Sequence, residues 1–357
     1  MFQKLIVLKS VLVLRRVDLK NASLDKLCFI NNLILIFFVI KYAKIPYKSA
    51  ITIENNLDLT RYTVYKVDIT REGWFHELKD GKKISVDKND FSLTIEGRKV
   101  TFDAVLIGIH GTPGEDGKLQ GYFDLLNLPY TSCDAATSAL TFNKRFTVAV
   151  AAFNGICVAR SVLLIKGRFE NPGQLAAHLQ FPVFVKPNNG GSSIGMSKVN
   201  SASEELGAAI EKAFREDDQV LVEEFIAGRE FTIGVFRANG EIITLPFTEV
   251  KSKKEFFDFE AKYTPGLNEE TTPAQVEESI AVKVRAAAKK IYQVFNCSGV
   301  IRIDFIYNEE KGEPYMLEIN TVPGQSEASI VPQQLRVLGW TMKEFYSALV
   351  EDALARK

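Results

Sequence analysis

Hydrophobic positions along the chain recur with two periods, and each change of period marks an element. The runs YTVYKVDI (62–69) and FDAVLIGIHG (102–111) are β-branched and apolar and end on turn signals, so they predict strands. Between them KISVDKNDFSLTIEGRKVTFD predicts a hairpin turning at Glu96 and Gly97. Helical spacing follows in GKLQGYFDLLNL (117–128) and SALTFNKRFTVAVAAF (138–153). FPVFVKP and GMSKV return to strand, SASEELGAAIEKAFR (201–215) predicts a helix opened by a Ser/Glu capping pattern, and QVLVEEFI (219–226) predicts another strand. EFTIGVFR and EIITLPFTEV predict a second hairpin, turning at Asn239 and Gly240. Residues 251–273 are charged, aromatic and irregular, long enough to suggest a functional loop. The amphipathic VEESIAVKVRAAAKKIYQVFN then leads into the strands GVIRIDFIY and EPYMLEIN.

That last pair carries the sharpest chemical pattern. Side chains alternate along a strand, so Arg302 and Asp304 share one face of IRIDFIY while Ile301, Ile303 and Phe305 share the other. Glu318 and Asn320 likewise share a face of YMLEIN. A hairpin centred near Lys311 sets Asp304 opposite Glu318 and Arg302 opposite Asn320. Two facing carboxylates repel unless a cation joins them, and Asp, Glu and Asn oxygens are the hard ligands that Mg²⁺ takes. The competing reading is a solvated face on which Arg302 screens the acids.

Composition narrows the field. At 357 residues the chain has room for two or three domains. Lys plus Arg and Asp plus Glu are both 44, so no global field points to nucleic acid or to an anionic membrane surface. Cys28, Cys133, Cys157 and Cys297 are widely spaced, which argues against zinc and a disulfide framework and for a reducing cytoplasm. The apolar stretch CFINNLILIFFVI (28–40) is too short and too interrupted to span a membrane.

In VFVKPNNGGSSIGMSKV (183–199) a lysine ends an apolar strand and a glycine-rich loop follows it. Glycines let backbone N–H groups close on a phosphate, yet the order of residues matches neither the P-loop nor the dinucleotide fingerprint. A surface hairpin with a solvated lysine is the other reading.

Taken in order, VFVKPNNGGSSIGMSKV, LVEEFIAGREFTIGV, EAKY, GVIRIDF and LEINTVPGQSEASIVPQQ resemble the D-alanine:D-alanine ligase family of the ATP-grasp superfamily. IHGTPGEDGKLQGYFDLLNLPYTSCDAATSALTFNK resembles it too, and the likeness runs over roughly residues 48–357. The resemblance implies an α/β chain of α+β subdomains, with a Rossmann-like domain ahead of the ATP-grasp fold. It implies divisions at 1–130, 131–222 (with the phosphate lid) and 223–357 (with the metal site and a covering loop). It implies ATP as cosubstrate, Mg²⁺ or Mn²⁺ as a pair of ions, D-alanine as substrate and a cytoplasmic homodimer serving peptidoglycan synthesis. By position, Lys144 and Lys186 resemble the α- and β-phosphate contacts, with Ser192 and Ser193 in the lid. Glu223, Phe225 and Ile226 resemble the adenine contacts, Glu230 the ribose partner and Lys262 the γ-phosphate contact. Tyr263 resembles the partner of Ser192; Asp304, Glu318 and Asn320 the metal ligands; and Arg302 the residue stabilising the tetrahedral intermediate. His110 resembles a histidine near the first substrate, and Gly324, Ser329 and Ile330 the pocket for the second.

The likeness lapses near the start, where the family has GG-x-S-x-E-x-x-V-S. Here FFVIKYAKIPYKSA precedes the helix-like YKSAITIENNL, with LILIFFVIKY available as first strand and Ala43, Lys44, Ile45 and Pro46 in place of an acidic loop. That departure implies a weakened hold on the first substrate's ammonium unless Glu54 or Glu115 supplies the charge. Alternatives are therefore an impaired ATP-binding homologue, or a ligase using D-lactate or D-serine as acceptor. Tyr263 favours D-alanine, since the lactate type has histidine there.

Overall fold

The structure, a computed structural model, describes residues 9–14, 33–37, 44–70, 72–168, 178–191, 193–202, 204–252 and 268–356. In the N-terminal sheet, strand Leu33–Phe37 runs parallel to Tyr62–Ile69, and helix Lys44–Asn56 crosses between them. LILIF therefore does supply a strand of a β-α-β unit. Lys9–Leu14, which the pattern did not single out, pairs antiparallel with both Tyr62–Ile69 and Ala104–Ile107. Lys44, Ile45 and Pro46, read above as loop, form the first helical turn, where a missing proline N–H leaves no bond unmade.

Two predicted hairpins divide differently from expectation. The turn at Glu96 and Gly97 is present, with φ of 50° and 76°, but it joins only Leu93–Ile95 to Arg98–Val100. Lys83–Ser85 instead pairs with Trp74–Glu77 at the edge of the N-terminal sheet. Asn239 and Gly240 turn as predicted between Arg229–Ala238 and Glu241–Thr244. The run EIITLPFTEV then breaks at Leu245–Phe247, and Thr248–Ser252 returns along the same Arg229–Ala238 strand. Pro246 has no N–H to give a ladder, which is why one apolar run becomes two strands.

The central sheet orders Ser197–Val199, Val183–Pro187, Gln219–Glu224 and Ser161–Ile165, all antiparallel. The C-terminal sheet orders Asn268–Thr271, Thr248–Ser252, Arg229–Ala238, Ile301–Asn308 and Glu313–Asn320. The helix predicted over 138–153 is two helices, Ala135–Phe142 and Lys144–Phe153. Asn143 breaks them apart: its backbone leaves the helical region, and its side chain accepts from the Phe146 N–H to cap the second helix. Lys144 thus opens a helix instead of lying inside one.

Burial divides the chain unevenly. Ala50 and Ile53 of the first helix, Tyr62 and Leu106 of the N-terminal sheet, Phe236 of the C-terminal sheet, and Phe345 and Leu349 of the last helix form one core cluster. The central sheet has its own, from Leu164 and Val183 to Val222. The N-terminal and C-terminal sheets therefore share a core, the helices Ala135–Phe142 and Lys144–Phe153 pack toward the C-terminal sheet, and the central sheet packs around a cluster of its own.

Gly299 sits at the entry to the Ile301–Asn308 strand with φ +63°, and a Cβ there would lie 1.9 Å from the Thr131 carbonyl oxygen. Gly299→Ala should combine a left-handed penalty with a backbone clash, lowering stability by at least ~2 kcal/mol. An unchanged urea midpoint would show that this close approach does not matter.

Candidate active site

The charged face sits where the C-terminal hairpin meets the Arg229–Ala238 strand. Arg302 pairs across strands with Asn320, and Asp304 with Glu318, the register that side-chain alternation predicts. A bulge between Asp304 and Phe305 shifts the remaining pairs, so the turn lies at 309–312 without disturbing that face. Arg302 Nε donates to Asp304 Oδ1 at 2.9 Å and Nη2 to Oδ2 at 2.8 Å, a bidentate fork. Asn320 Nδ2 donates to Asp304 Oδ2 at 3.2 Å and to Glu318 Oε1 at 3.4 Å. Burial alone would lower the Arg302 guanidinium. Asp304, Glu318 and Glu115 outweigh it and hold the group above its ordinary value, so it stays charged.

This donor set suits a hard cation: two carboxylates and a carboxamide on rigid strands, with Glu318 about a third exposed. Among the described residues no group of three or more His, Cys, Asp and Glu side chains converges. A cation here would thus need oxygens from its ligand and from water to fill its shell. Turning the Asn320 carboxamide over presents its oxygen to the same space, because oxygen and nitrogen exchange places with little change of shape.

On the central sheet, Lys186 Nζ reaches Glu223 Oε1 at 2.7 Å, and both side chains are nearly enclosed. The pairing follows from register: Lys186 faces Leu221 across the ladder, two residues from Glu223 on the same strand. Lys144 Nζ donates to the Gly190 carbonyl at 2.9 Å, which brings the helix-opening lysine onto the glycine-rich loop. The loop is tied at its root, since the Asn189 N–H and Nδ2 both donate to Asp217 Oδ2, and Asn188 Oδ1 accepts from the Arg145 N–H. Phe225 is partly exposed, packs 6.0 Å from Phe184 and lies 4.8 Å beneath the Lys198 ammonium. Ile226 follows it, half-buried, and Glu230 lies on the strand that also carries Thr232. Ser193 has φ 56° in the loop, whereas Ser192, Lys262 and Tyr263 lie outside the described residues.

At the other end, a chain of hydrogen bonds crosses from the first helix to the C-terminal sheet. Ser49 Oγ lies 3.3 Å from His110 Nε2, and His110 Nδ1 donates to the Val322 carbonyl at 2.6 Å. That bond fixes the histidine tautomer, so Nε2 accepts from the serine hydroxyl. Ser49 Oγ also accepts from the Gln325 N–H at 3.1 Å. Glu115 takes the N–H of Val322 on Oε1 at 2.9 Å and that of Gly111 on Oε2. Gly324 leaves room for Ser329, whose hydroxyl accepts from the Ser326 N–H at 3.1 Å just before the helix Ile330–Leu338. Glu54 instead faces Lys66 at 3.9 Å with its side chain half exposed. Sequence reading missed Ser49 and Thr232. Neither sits in a local chemical pattern, and both gain their partners from distant strands.

Three comparisons with known proteins stand beside this geometry. The family models described as the D-ala D-ala ligase N-terminus and C-terminus match residues 43–133 and 143–351. A D-alanine–D-alanine ligase of Flavobacterium johnsoniae is 43% identical over 312 residues, spanning 87% of this chain and 95% of that protein. One from Phocaeicola vulgatus is 44% identical, spanning 85% and 93%. Among solved structures, D-alanyl-alanine synthetase A of Vibrio cholerae superposes with a TM-score of 0.78 at 27% identity, covering 90% of this chain and 97% of that one. The VanG D-Ala:D-Ser ligase of Enterococcus faecalis gives 0.77 at 29%, covering 88% and 96%. A Bacillus anthracis ligase complexed with ATP gives 0.69 at 27%, covering 90% and 96%. Both halves of one family therefore lie along this chain in order, over the sheets that carry the charged face and the lysine pair, and the chain belongs to the D-alanine–D-alanine ligase family with its ATP-grasp fold.

Proposed function

We infer that this chain joins two D-alanine molecules at the expense of ATP, in the cytoplasm, as a homodimer supplying peptidoglycan precursors. The observation that carries the reading is the cross-strand quartet, Arg302 opposite Asn320 and Asp304 opposite Glu318, joined by the Arg302–Asp304 fork and the Asn320 amide. A carboxylate oxygen of the donor D-alanine attacks the γ-phosphorus, the bond to the β-phosphate oxygen breaks, and ADP leaves. The amine of the second D-alanine, having given up a proton, attacks the acyl carbon, and phosphate departs as the peptide bond forms.

Each residue then takes a part suited to its chemistry. Lys144 and Lys186 meet the α- and β-phosphates, with Lys262 toward the γ-phosphate, while Ser192, Ser193 and Tyr263 belong to the cover that keeps water from the acyl-phosphate. Glu223, Phe225 and Ile226 receive the adenine, and Glu230 the ribose. Asp304, Glu318 and Asn320 would hold Mg²⁺ or Mn²⁺, which neutralises phosphate charge when bound. The Arg302 fork faces the charge that develops on the tetrahedral centre. Gly324, Ser329 and Ile330 receive the acceptor's carboxylate, and His110 borders the donor. Glu115 belongs to the same bonded cluster as His110, whereas Glu54 points to Lys66. Glu115 is therefore the carboxylate we place toward the donor's ammonium. The relatives above two-fifths identity bear the D-alanine–D-alanine name, which favours D-alanine over D-serine or D-lactate as acceptor and an active chain over an impaired one.

Lys186→Met should weaken ATP binding and also cost about 3 kcal/mol of stability without nucleotide, because it leaves the Glu223 carboxylate enclosed and unpaired. The double variant Lys186→Met/Glu223→Gln should recover most of that stability while ATP binding stays weak. Calorimetry with and without ATP reads both, and undiminished ATP affinity in the single variant would reject the phosphate role. Glu318→Gln should retain the fold yet raise the Mg²⁺ requirement of ADP release at least about tenfold. A metal dependence identical to wild type would leave the face merely structural.

A further inference from the structure

The helix Ile330–Leu338 begins at Ser329 and Ile330, the residues assigned to the acceptor's carboxylate, and on its inner face it buries a glutamine completely. Gln334 Nε2 donates to the Thr232 carbonyl at 2.9 Å and to Thr248 Oγ1 at 3.0 Å, while its Oε1 accepts the Gly234 N–H at 2.8 Å. Its orientation is not a matter of choice. A carbonyl can only accept and an N–H can only donate, so turning the amide over would break both backbone bonds. Gly234 makes the approach possible, since a Cβ there would come 3.0 Å from Gln334 Oε1 and 2.6 Å from Leu245 Cδ1. Thr232, whose carbonyl Gln334 holds, pairs across the ladder with Asp304, and its hydroxyl donates to Asp304 Oδ1. Thr232, Thr248 and Asp304 are all buried, so each of these bonds is made away from water, where an unmade one is most costly.

We propose that Gln334 and Thr232 are positioning residues that tie the acceptor pocket to the metal carboxylate. Gln334 fastens the acceptor helix to the strand carrying Thr232, and Thr232 aims Asp304. The Arg302 fork and the Asn320 amide also hold Asp304. With Thr232 donating to Oδ1, the carboxylate cannot follow Arg302 when that guanidinium turns to developing charge, so its position is kept through the reaction. Gln334 passes the same constraint to Ser329, five residues away on the same helix. A shift of the acceptor pocket and a shift of Asp304 are thereby one motion.

The proposal rests on the ligase reading above, and the test separates the two. Mn²⁺ is titrated into the full chain with a non-hydrolysable ATP analogue and read by electron paramagnetic resonance, without turnover. Donor and acceptor half-saturation are then separated by steady-state kinetics. Thr232→Val, which keeps shape and removes only the hydroxyl, should weaken Mn²⁺ binding about fivefold and leave acceptor half-saturation unchanged, and Thr232→Ser should restore it. Gln334→Met, similar in volume and adaptable in a core, should weaken both Mn²⁺ binding and acceptor half-saturation. If Gln334→Met fails to accumulate, Gln334→Glu, which keeps the acceptor for the Gly234 N–H and loses both donors, is read in its place. Wild-type Mn²⁺ affinity in Thr232→Val, or a Gln334 variant that lowers only the melting temperature, would overturn the proposal. A wild-type chain that binds no Mn²⁺ with the analogue would overturn the metal reading beneath it.

Discussion

The Arg302–Asp304 fork is the interaction on which the rest of this site depends. Asp304 and Glu318 face one another across two strands, an arrangement that repels itself in a partly dry setting. The guanidinium takes both oxygens of Asp304 and lies 4.0 Å from Glu318 Oε1, so the face is held together with one negative charge left over. That remainder is what a divalent cation would use if Asp304, Glu318 and Asn320 held one. The groups around the fork keep it in place: Thr232 on one side of Asp304, Asn320 on the other, and Gly299 where the strand begins.

The distribution of cores gives this face its counterpart. The first helix, the N-terminal sheet, the C-terminal sheet and the last helix bury against each other, so the Ser49–His110 end and the Arg302–Asp304 end belong to one body. The central sheet closes around its own cluster and carries Lys186, Glu223 and the glycine-rich loop. The Lys186–Glu223 pair and the Arg302–Asp304 fork thus lie on sheets with separate cores, whereas Ser49 and His110 share a body with the fork.

Lys186 shows how a residue can be placed at a strand end from sequence and still have an unforeseen partner. The strand-ending lysine and its glycine loop were legible as a phosphate-type element, and Glu223 was legible only through likeness to a family. Their 2.7 Å ion pair was in neither reading, because it depends on which two strands of the central sheet are neighbours. The pair keeps the ammonium enclosed and oriented without nucleotide, at the cost of desolvating both charges.

Alternation with period two was enough to set Arg302, Asp304, Glu318 and Asn320 on one face and to pair them in register, since the hairpin joining their strands is short and local. Turn chemistry likewise placed Glu96–Gly97 and Asn239–Gly240. Local pattern did not show the break at Asn143, the split of EIITLPFTEV, the edge pairing of Lys83–Ser85 or the strand Lys9–Leu14, because each is decided by which distant segment offers a partner for the backbone. The same holds for Ser49, Thr232 and Gln334, while Glu115 was named beside Glu54 and only the fold chose between them. Their residue types are ordinary, and they acquire roles only when contacts between residues as far apart as 276 positions bring a hydroxyl, a carboxylate or an amide against a backbone group. Sequence by itself therefore determined the chemistry on each strand, through the pleat and the turn. Tertiary structure alone decided which strands and helices met, because burial rewards contacts without regard to their separation along the chain.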